Sequence, residues 1–314
     1  MTDFDTTNSP PRDEVRAARR TRSRELWSLV LLSPVFLLLT LIILLPEIWA
    51  LTISFTNYRL GEPVRNVGLL NFEYFLTDPA FWNAVWVNIK FVIGAVTLQM
   101  VIGLGISLFL ATQKFRWRFF WIALVLAPMA VSPAVSSVIW RYLLDLNIGP
   151  VNYLVEMMGF ERIQFLTGYQ VAIFSVIMVE VWLAIPHVVL FLYPARITFP
   201  PELYDAAEVD GATAWQKFRY ITFPLLRPAF FLSLVFRLII TIRAFGVVWL
   251  LTGGGPLRQT ELLAIYMYKE GFENWRFGSA ASIAWAMLVI TMLMASYVIY
   301  LMYRNSFSNV GREN

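Results

Sequence analysis

Apolar residues in this chain come in long unbroken blocks, not at the alternating or roughly 3.6-residue spacing of half-buried elements. Six blocks reach the ~20 residues needed to cross a hydrocarbon core of ~30 Å: Leu26–Leu45, Val85–Ala111, Phe119–Trp140, Val171–Tyr193, Pro228–Leu251 and Ser279–Tyr303. Each is predicted to be a helix, because a lone strand would leave its backbone N–H and C=O groups unpaired in lipid. Pro34, Pro128, Pro133, Pro186, Gly103 and Gly105 fall inside the blocks and predict bends. Trp27, Trp117, Trp140 and Trp249 stand near block ends, where amphipathic rings anchor at the membrane surface.

The polar stretches between the blocks set the orientation. Fifteen of the 25 Lys and Arg lie in segments that would be inside if both termini were cytoplasmic, and seven lie in the opposite segments. The positive-inside rule therefore predicts both termini in the cytoplasm. Residues 1–25 read as a polar, mobile cytoplasmic tail, 26–304 as the transmembrane domain and 305–314 as a second tail. The first apolar block is too long for a signal-peptide core. Two outer loops, Asn57–Ala84 and Arg141–Gln170, hold short amphipathic pieces at Asn71–Leu76 and Asn152–Met158.

Composition agrees with lipid as the solvent. The chain is 58% hydrophobic and 15% charged, with mean hydropathy +0.62, whereas soluble domains run near half apolar and about a quarter charged. The absence of Cys and the single histidine, His187, exclude disulfides, thiolate metal sites and multi-histidine centres. The net charge of +4 follows from the orientation bias and does not imply a nucleic-acid partner.

The longest inner loop, within 199–228, carries the most information. Pro201 suits a first helical turn, and Glu202 and Asp205 favour the positive end of the helix dipole. Leu203, Ala206 and Ala207 give one small apolar face. Asp210-Gly211 ends the helix, since Gly accepts the left-handed cap. A second short helical stretch is predicted from Thr213 to Ile221, before Pro224 and Pro228 open the next span. A short helix strung between two spans, with a compact surface, suits docking in a groove on another protein.

The order Asp205-Ala206-Ala207, Asp210-Gly211-Ala212, Phe218, Pro224, Pro228 resembles the EAA loop of permease subunits of binding-protein-dependent ABC importers. Asp205 replaces the usual Glu and keeps the carboxylate. Gly68–Phe72, Pro128 through Ser132-Pro133 to Trp140-Arg141, Gly149–Asn152, Thr252–Pro256 and Gly278–Ala281 resemble features of the carbohydrate-uptake branch, the maltose and glycerol-phosphate permeases. Tyr193-Pro194-Ala195-Arg196 departs from it, standing where such permeases have small apolar residues. The resemblance implies a six-helix bundle of the type I importer kind in the bacterial inner membrane. It implies a second permease, an ABC ATPase dimer docked on 201–218, an extracytoplasmic solute-binding protein and a sugar-like substrate. Glu202, Asp205, Ala206, Ala207, Asp210, Gly211, Ala212, Phe218 and Pro224 would make the ATPase contact. ATP and Mg would sit on the partner, and this chain would bind no cofactor and catalyse no reaction.

Glu180, Arg237 and Arg243 fall inside apolar blocks, where an unpaired charge costs on the order of 3 kcal/mol. The two arginines are six residues apart, so on a regular helix they differ by about 120° in azimuth and ~9 Å in height. Either they line a transport path with Glu180, or Arg237 pairs with Glu180 while Arg243 snorkels outward. Trp182, Phe245 and Trp249 are candidate stacking surfaces for a sugar ring. Gly246 stands where such permeases often carry an acid, which favours an anionic sugar derivative. Lys90 is expected to snorkel and His187 to be packed.

The chain has no G-x-x-x-x-G-K-[ST] loop, so it cannot hold a nucleotide triphosphate in that way. Gly253-Gly254-Gly255 reads as a turn. Two rival readings stay open: a secondary transporter driven by an ion gradient, which leaves the inner loop unexplained, and a membrane-embedded enzyme, for which catalytic groups do not converge.

Overall fold

A computed structural model describes residues 31–112 and 115–307 of the chain. The tail expected at 1–25 lies outside the described residues. Among the described residues the regular structure is helical, apart from two isolated bridges, Thr56 with Asn66 and Arg59 with Arg276. Five helices are long and apolar enough to cross a membrane, and a sixth crossing is available if one bent pair counts as a span.

In chain order the elements are α1 (Leu31–Ser54), α2 (Leu70–Thr77), α3 (Pro79–Thr112), α4 (Phe115–Leu126), α5 (Pro133–Leu143), α6 (Pro150–Met157), α7 (Val171–Ile197), α8 (Glu202–Val209), α9 (Ala214–Ile242), α10 (Gly246–Thr252), α11 (Leu263–Tyr268) and α12 (Phe277–Phe307). The apolar pieces expected in the outer loops are α2 and α6. The last helix runs past Arg304 to Phe307.

Three spans differ from their predicted form, each for a backbone reason. The first continues beyond Leu45 to Ser54, with Pro46 absorbed inside it directly after a π turn over Thr40–Leu44. The third is not one helix: residues 117–130 and 133–143 meet at 97°. Pro128 and Pro133 remove donors on either side of the corner, and the Ser132 hydroxyl caps α5 by accepting from the Val135 N–H at 3.3 Å. The fifth starts earlier, at Ala214, and stops at Ile242. Arg243 and Ala244 close it as a turn, and Phe245 has φ −138°, ψ −64°, outside the helical region.

The core lies between α3 and α7, joined by α9, α10 and α11. Phe91, Ala95 and Val96 meet Val176, Val179 and Val188, then Leu238, Ile242, Val248 and Ile265. Gly103 permits the closest approach: a Cβ there would sit 2.5 Å from a Val188 methyl. By contrast α1 presents almost all its side chains outward and packs at the edge against α12.

The recurrent loop features prove to be staples. The Asn71 amide donates to the Ser54 and Thr56 carbonyls at 2.7 Å each, fastening the end of α1. Asn152 is buried; its amide donates to the Asp145 and Ile163 carbonyls and its oxygen accepts from the Ile163 N–H. After α10, Thr252 and Thr260 share a 2.7 Å hydroxyl contact, and Thr260 donates to the Gly255 carbonyl.

Candidate functional site

Two places bring the candidate residues together: the helix between the fourth and fifth spans, and a cleft inside the bundle. The helix, α8, has Pro201 at its N-cap and Glu202 and Asp205 in its first turn. Its end is a Schellman motif. The Gly211 N–H donates to the Glu208 carbonyl at 3.0 Å and the Ala212 N–H to the Ala207 carbonyl at 2.8 Å. Gly211 stands at φ +73°, the left-handed conformation that a glycine adopts without steric cost.

The stretch after it is not a separate helix as expected from Thr213 to Ile221. Thr213 and Gln216 form a capping box, and the helix they start runs directly into the fifth span. A π turn over Phe218–Thr222 joins the two parts. Pro224 and Pro228 each lack an N–H for the helical ladder, and both are absorbed within α9 without ending it. Phe218 is half-buried between the rings of Trp215 and Phe223, at 5.4 and 5.9 Å.

On α8 only Tyr204 and Ala207 are half-buried; Glu202, Leu203, Asp205, Ala206, Glu208 and Val209 are exposed. Ala207 thus faces the chain itself, and the outward apolar surface is Leu203, Ala206 and Val209, the last 89% exposed. Trp215 extends it at 68% exposure. Sequence periodicity missed Val209 and Trp215, although an apolar side chain at the tip of a polar loop is the signal to look for. Lys217 donates to Glu208 at 2.8 Å, which holds the Glu208 carboxyl below its usual range and ties the two ends of the loop.

Inside the bundle, Arg237 of α9 and Glu180 of α7 pair at 3.1 Å, both buried. Arg237 Nε also donates to the Gln99 side-chain oxygen at 2.9 Å, and a third, long contact reaches the Thr241 hydroxyl at 3.5 Å. Removing two charges from water is costly, and these further acceptors offset part of the cost by engaging two more of the guanidinium N–H groups. Gln99 and Thr241, both fully buried, were not singled out from the sequence. An amide inside an apolar block is a legible sign of an interior partner.

Beside this pair lies a cleft of about 430 Å³ at the corner between α4 and α5. Glu180, Arg237, Arg243, Phe245 and His187 all line it, so α7, α9 and the broken backbone at 243–246 share one space. Arg243 is exposed at the end of α9. It also lines a second cleft of about 380 Å³ with Phe245, Tyr268 and Glu47. Glu47 went unnoticed in the sequence because the first span was ended at Leu45.

The aromatic candidates separate. Phe245 stacks on Trp249 (5.8 Å, 14°), and Tyr268 touches both rings before stacking on Phe272 at 5.1 Å. Trp249 itself borders a different, outer cleft with Arg141. Trp182 lies edge-on to Trp140 at 5.6 Å and is not among the residues lining the 430 Å³ cleft. Among the described residues no cluster of His, Asp or Glu has the geometry to hold a metal ion.

Residues 19–310 match the family described as binding-protein-dependent transport system inner membrane components. The permease protein DasB of the diacetylchitobiose uptake system of Streptomyces coelicolor is 33% identical, over 90% of this chain and 88% of its own length. The permease protein UgpA of the sn-glycerol-3-phosphate transport system of Agrobacterium fabrum is 32% identical, over 74% of this chain and 78% of its own. In fold the chain is similar to a subunit of a bacterial ABC transporter that imports the acidic polysaccharide alginate. The TM-score is 0.79 at 20% identity, covering 92% of this chain and 99% of that one.

Proposed function

This chain belongs to the family of binding-protein-dependent transport system inner membrane components, and from that membership we propose that it forms half of the path by which a sugar or sugar derivative is imported. A second permease completes the path, a solute-binding protein delivers substrate from outside, and a separate ABC ATPase dimer drives the cycle through residues 201–218. Both termini face the cytoplasm, so that α8 projects on the ATPase side.

The observation that carries this reading is the outward surface of α8. Leu203, Ala206 and Val209 stand exposed on a capped helix rooted between two spans. An apolar ridge of this kind on a membrane protein's polar side suits a groove in a partner. Closure of the ATPase dimer on ATP would then shift the bundle between two packings, because the nucleotide favours one of them.

The 430 Å³ cleft is the proposed substrate site. Irregular backbone at membrane depth is tolerated where it lines a cavity, and residues 243–246 are such a stretch. Glu180 neutralises Arg237, which leaves Arg243 as the free donor there. Phe245 offers a ring face next to it. Relatives named for a neutral sugar and for an anionic one are about equally similar, so Arg243 is the residue expected to set the preference.

Purification from the native membrane tests the reading. An ABC ATPase should accompany the chain and be lost on Asp205→Lys or Gly211→Arg. An ATPase retained by both variants overturns the assignment of the loop.

A further inference from the structure

Arg196, at the cytoplasmic end of α7, lies in a stretch, Tyr193–Arg196, where the chain departs from the permeases it resembles. Its guanidinium sits 4.3 Å from the centre of the Tyr204 ring and 5.7 Å from that of Phe199. The Tyr204 hydroxyl makes a 3.0 Å hydrogen bond with the Thr222 hydroxyl, at the root of α9. Thr222 is buried. Tyr204 is therefore held on its face by α7 and at its tip by α9. It is one of only two α8 residues that turn toward the rest of the chain, the other being the small Ala207.

From this geometry we infer that Arg196, Tyr204 and Thr222 form the joint that transmits movement of α8 to the fourth and fifth spans. Arg196 is a positioning residue that acts through Tyr204. The inference rests on the proposed docking of an ATPase on α8 and says how that docking is converted into motion. The other side-chain tie from α8 to α9, the Glu208–Lys217 pair, is largely exposed on its Glu208 side and holds the helix less firmly than this stacked and buried contact. The planar guanidinium suits the task, because a stacked Arg resists sliding of the ring more than a methylene chain does. The Thr222 end lies on the π turn of α9, where its hydroxyl also makes a long 3.4 Å contact with the Lys217 carbonyl.

The test uses the complete transporter in proteoliposomes with ATP as substrate. ATP hydrolysis is read with and without the purified cognate solute-binding protein. Arg196→Ala should keep its ATPase and its unstimulated rate, while stimulation by the binding protein falls roughly fivefold to tenfold, the scale of one half-buried cation–π contact. Arg196→Lys should restore part of the stimulation, since it keeps a cation over the ring. Tyr204→Phe and Thr222→Val break the same hydrogen bond, so the double variant should be no worse than either single one. The chain has no cysteine, so Arg196→Cys with Tyr204→Cys can be joined by a short bifunctional thiol reagent, which should return part of the stimulation, because it ties α8 back to α7 while the bond to Thr222 stays broken. Unchanged stimulation in Arg196→Ala, a loss the cross-link does not repair, or loss of the ATPase itself would each overturn the joint. A wild-type preparation without any ATPase would instead overturn the proposed function.

Discussion

Arg237 and Glu180 meet at 3.1 Å between α9 and α7, with Gln99 of α3 on the other side of the guanidinium. Three spans are thereby joined at one arginine, and the pairing of Arg237 with Glu180 is formed while Arg243 stays on the cleft wall. The pair also lines the cleft, so it combines a structural role with a position facing the proposed path.

The first prediction concerns that pair. Breaking a buried ion pair by removing one partner leaves an uncompensated charge and typically costs about 3–5 kcal/mol. Glu180→Ala should therefore lower thermal stability in detergent severely. The double variant Glu180→Leu, Arg237→Leu should recover most of it, because two apolar residues carry no desolvation cost. A double variant no more stable than the single ones would show that the pair is not the source of the effect.

Gly103 supplies the second. A Cβ at this position would fall 2.5 Å from a Val188 methyl and 2.7 Å from its Cβ, too close for either helix to absorb without moving. Gly103→Ala should destabilise the α3–α7 interface by about 1–3 kcal/mol, the usual range for overpacking. Adding Val188→Ala should relieve much of that loss, whereas Val188→Ala alone should cost less. Denaturant titration of the four proteins in one detergent gives the coupling. Additive changes would place the clash elsewhere.

Much of the architecture was legible because lipid imposes length and apolarity on every span. Val171–Tyr193 was read to within a few residues for this reason. The breaks were less legible. Pro128 and Pro133 flagged a bend in the third span, but a 97° turn depends on Ser132 capping a new helix, which spacing does not reveal. The fifth span carries no proline or glycine between Pro228 and Gly246, so its stop at Ile242 was invisible in the sequence. Gly211 could be read, since its chemistry is local. The partners of Gln99 and Glu47 could not, because they lie far along the chain and only tertiary packing brings them together.

Arg243 carries the third prediction. It is exposed in the shared wall of two clefts, and only one of them also contains Glu47. Arg243→Ala should reduce uptake of an anionic sugar derivative at least tenfold more than uptake of a neutral one, the difference of about 1.4 kcal/mol expected for one charge-assisted contact. Competition between labelled neutral and anionic sugars in cells carrying each variant measures the ratio. An equal fall for both would mean that Arg243 serves the bundle and not the choice of substrate.

The last prediction follows from the segment between α5 and α7. Asp145 accepts from the Ile148 and Asn147 N–H groups, which together hold its carboxyl below the usual range, with Arg141 adding a smaller effect. Glu156 is likewise held low, by its two hydrogen bonds from Arg162. A carboxyl whose folded value is depressed adds stability that is fully present above its unfolded value and is lost as pH falls through the folded one. With unfolded carboxyls near pH 4, the loop should keep constant order from about pH 8 to 5 and loosen below about 4. A spin label at Glu161 should report that change as increased mobility. Glu156→Gln should flatten it, because the neutral amide keeps a hydrogen-bond acceptor but has no charge to lose. Mobility that already rises between pH 8 and 6 would point to a group other than these two carboxyls. It would also remove the reason for expecting this outer surface to stay rigid in a mildly acidic surrounding.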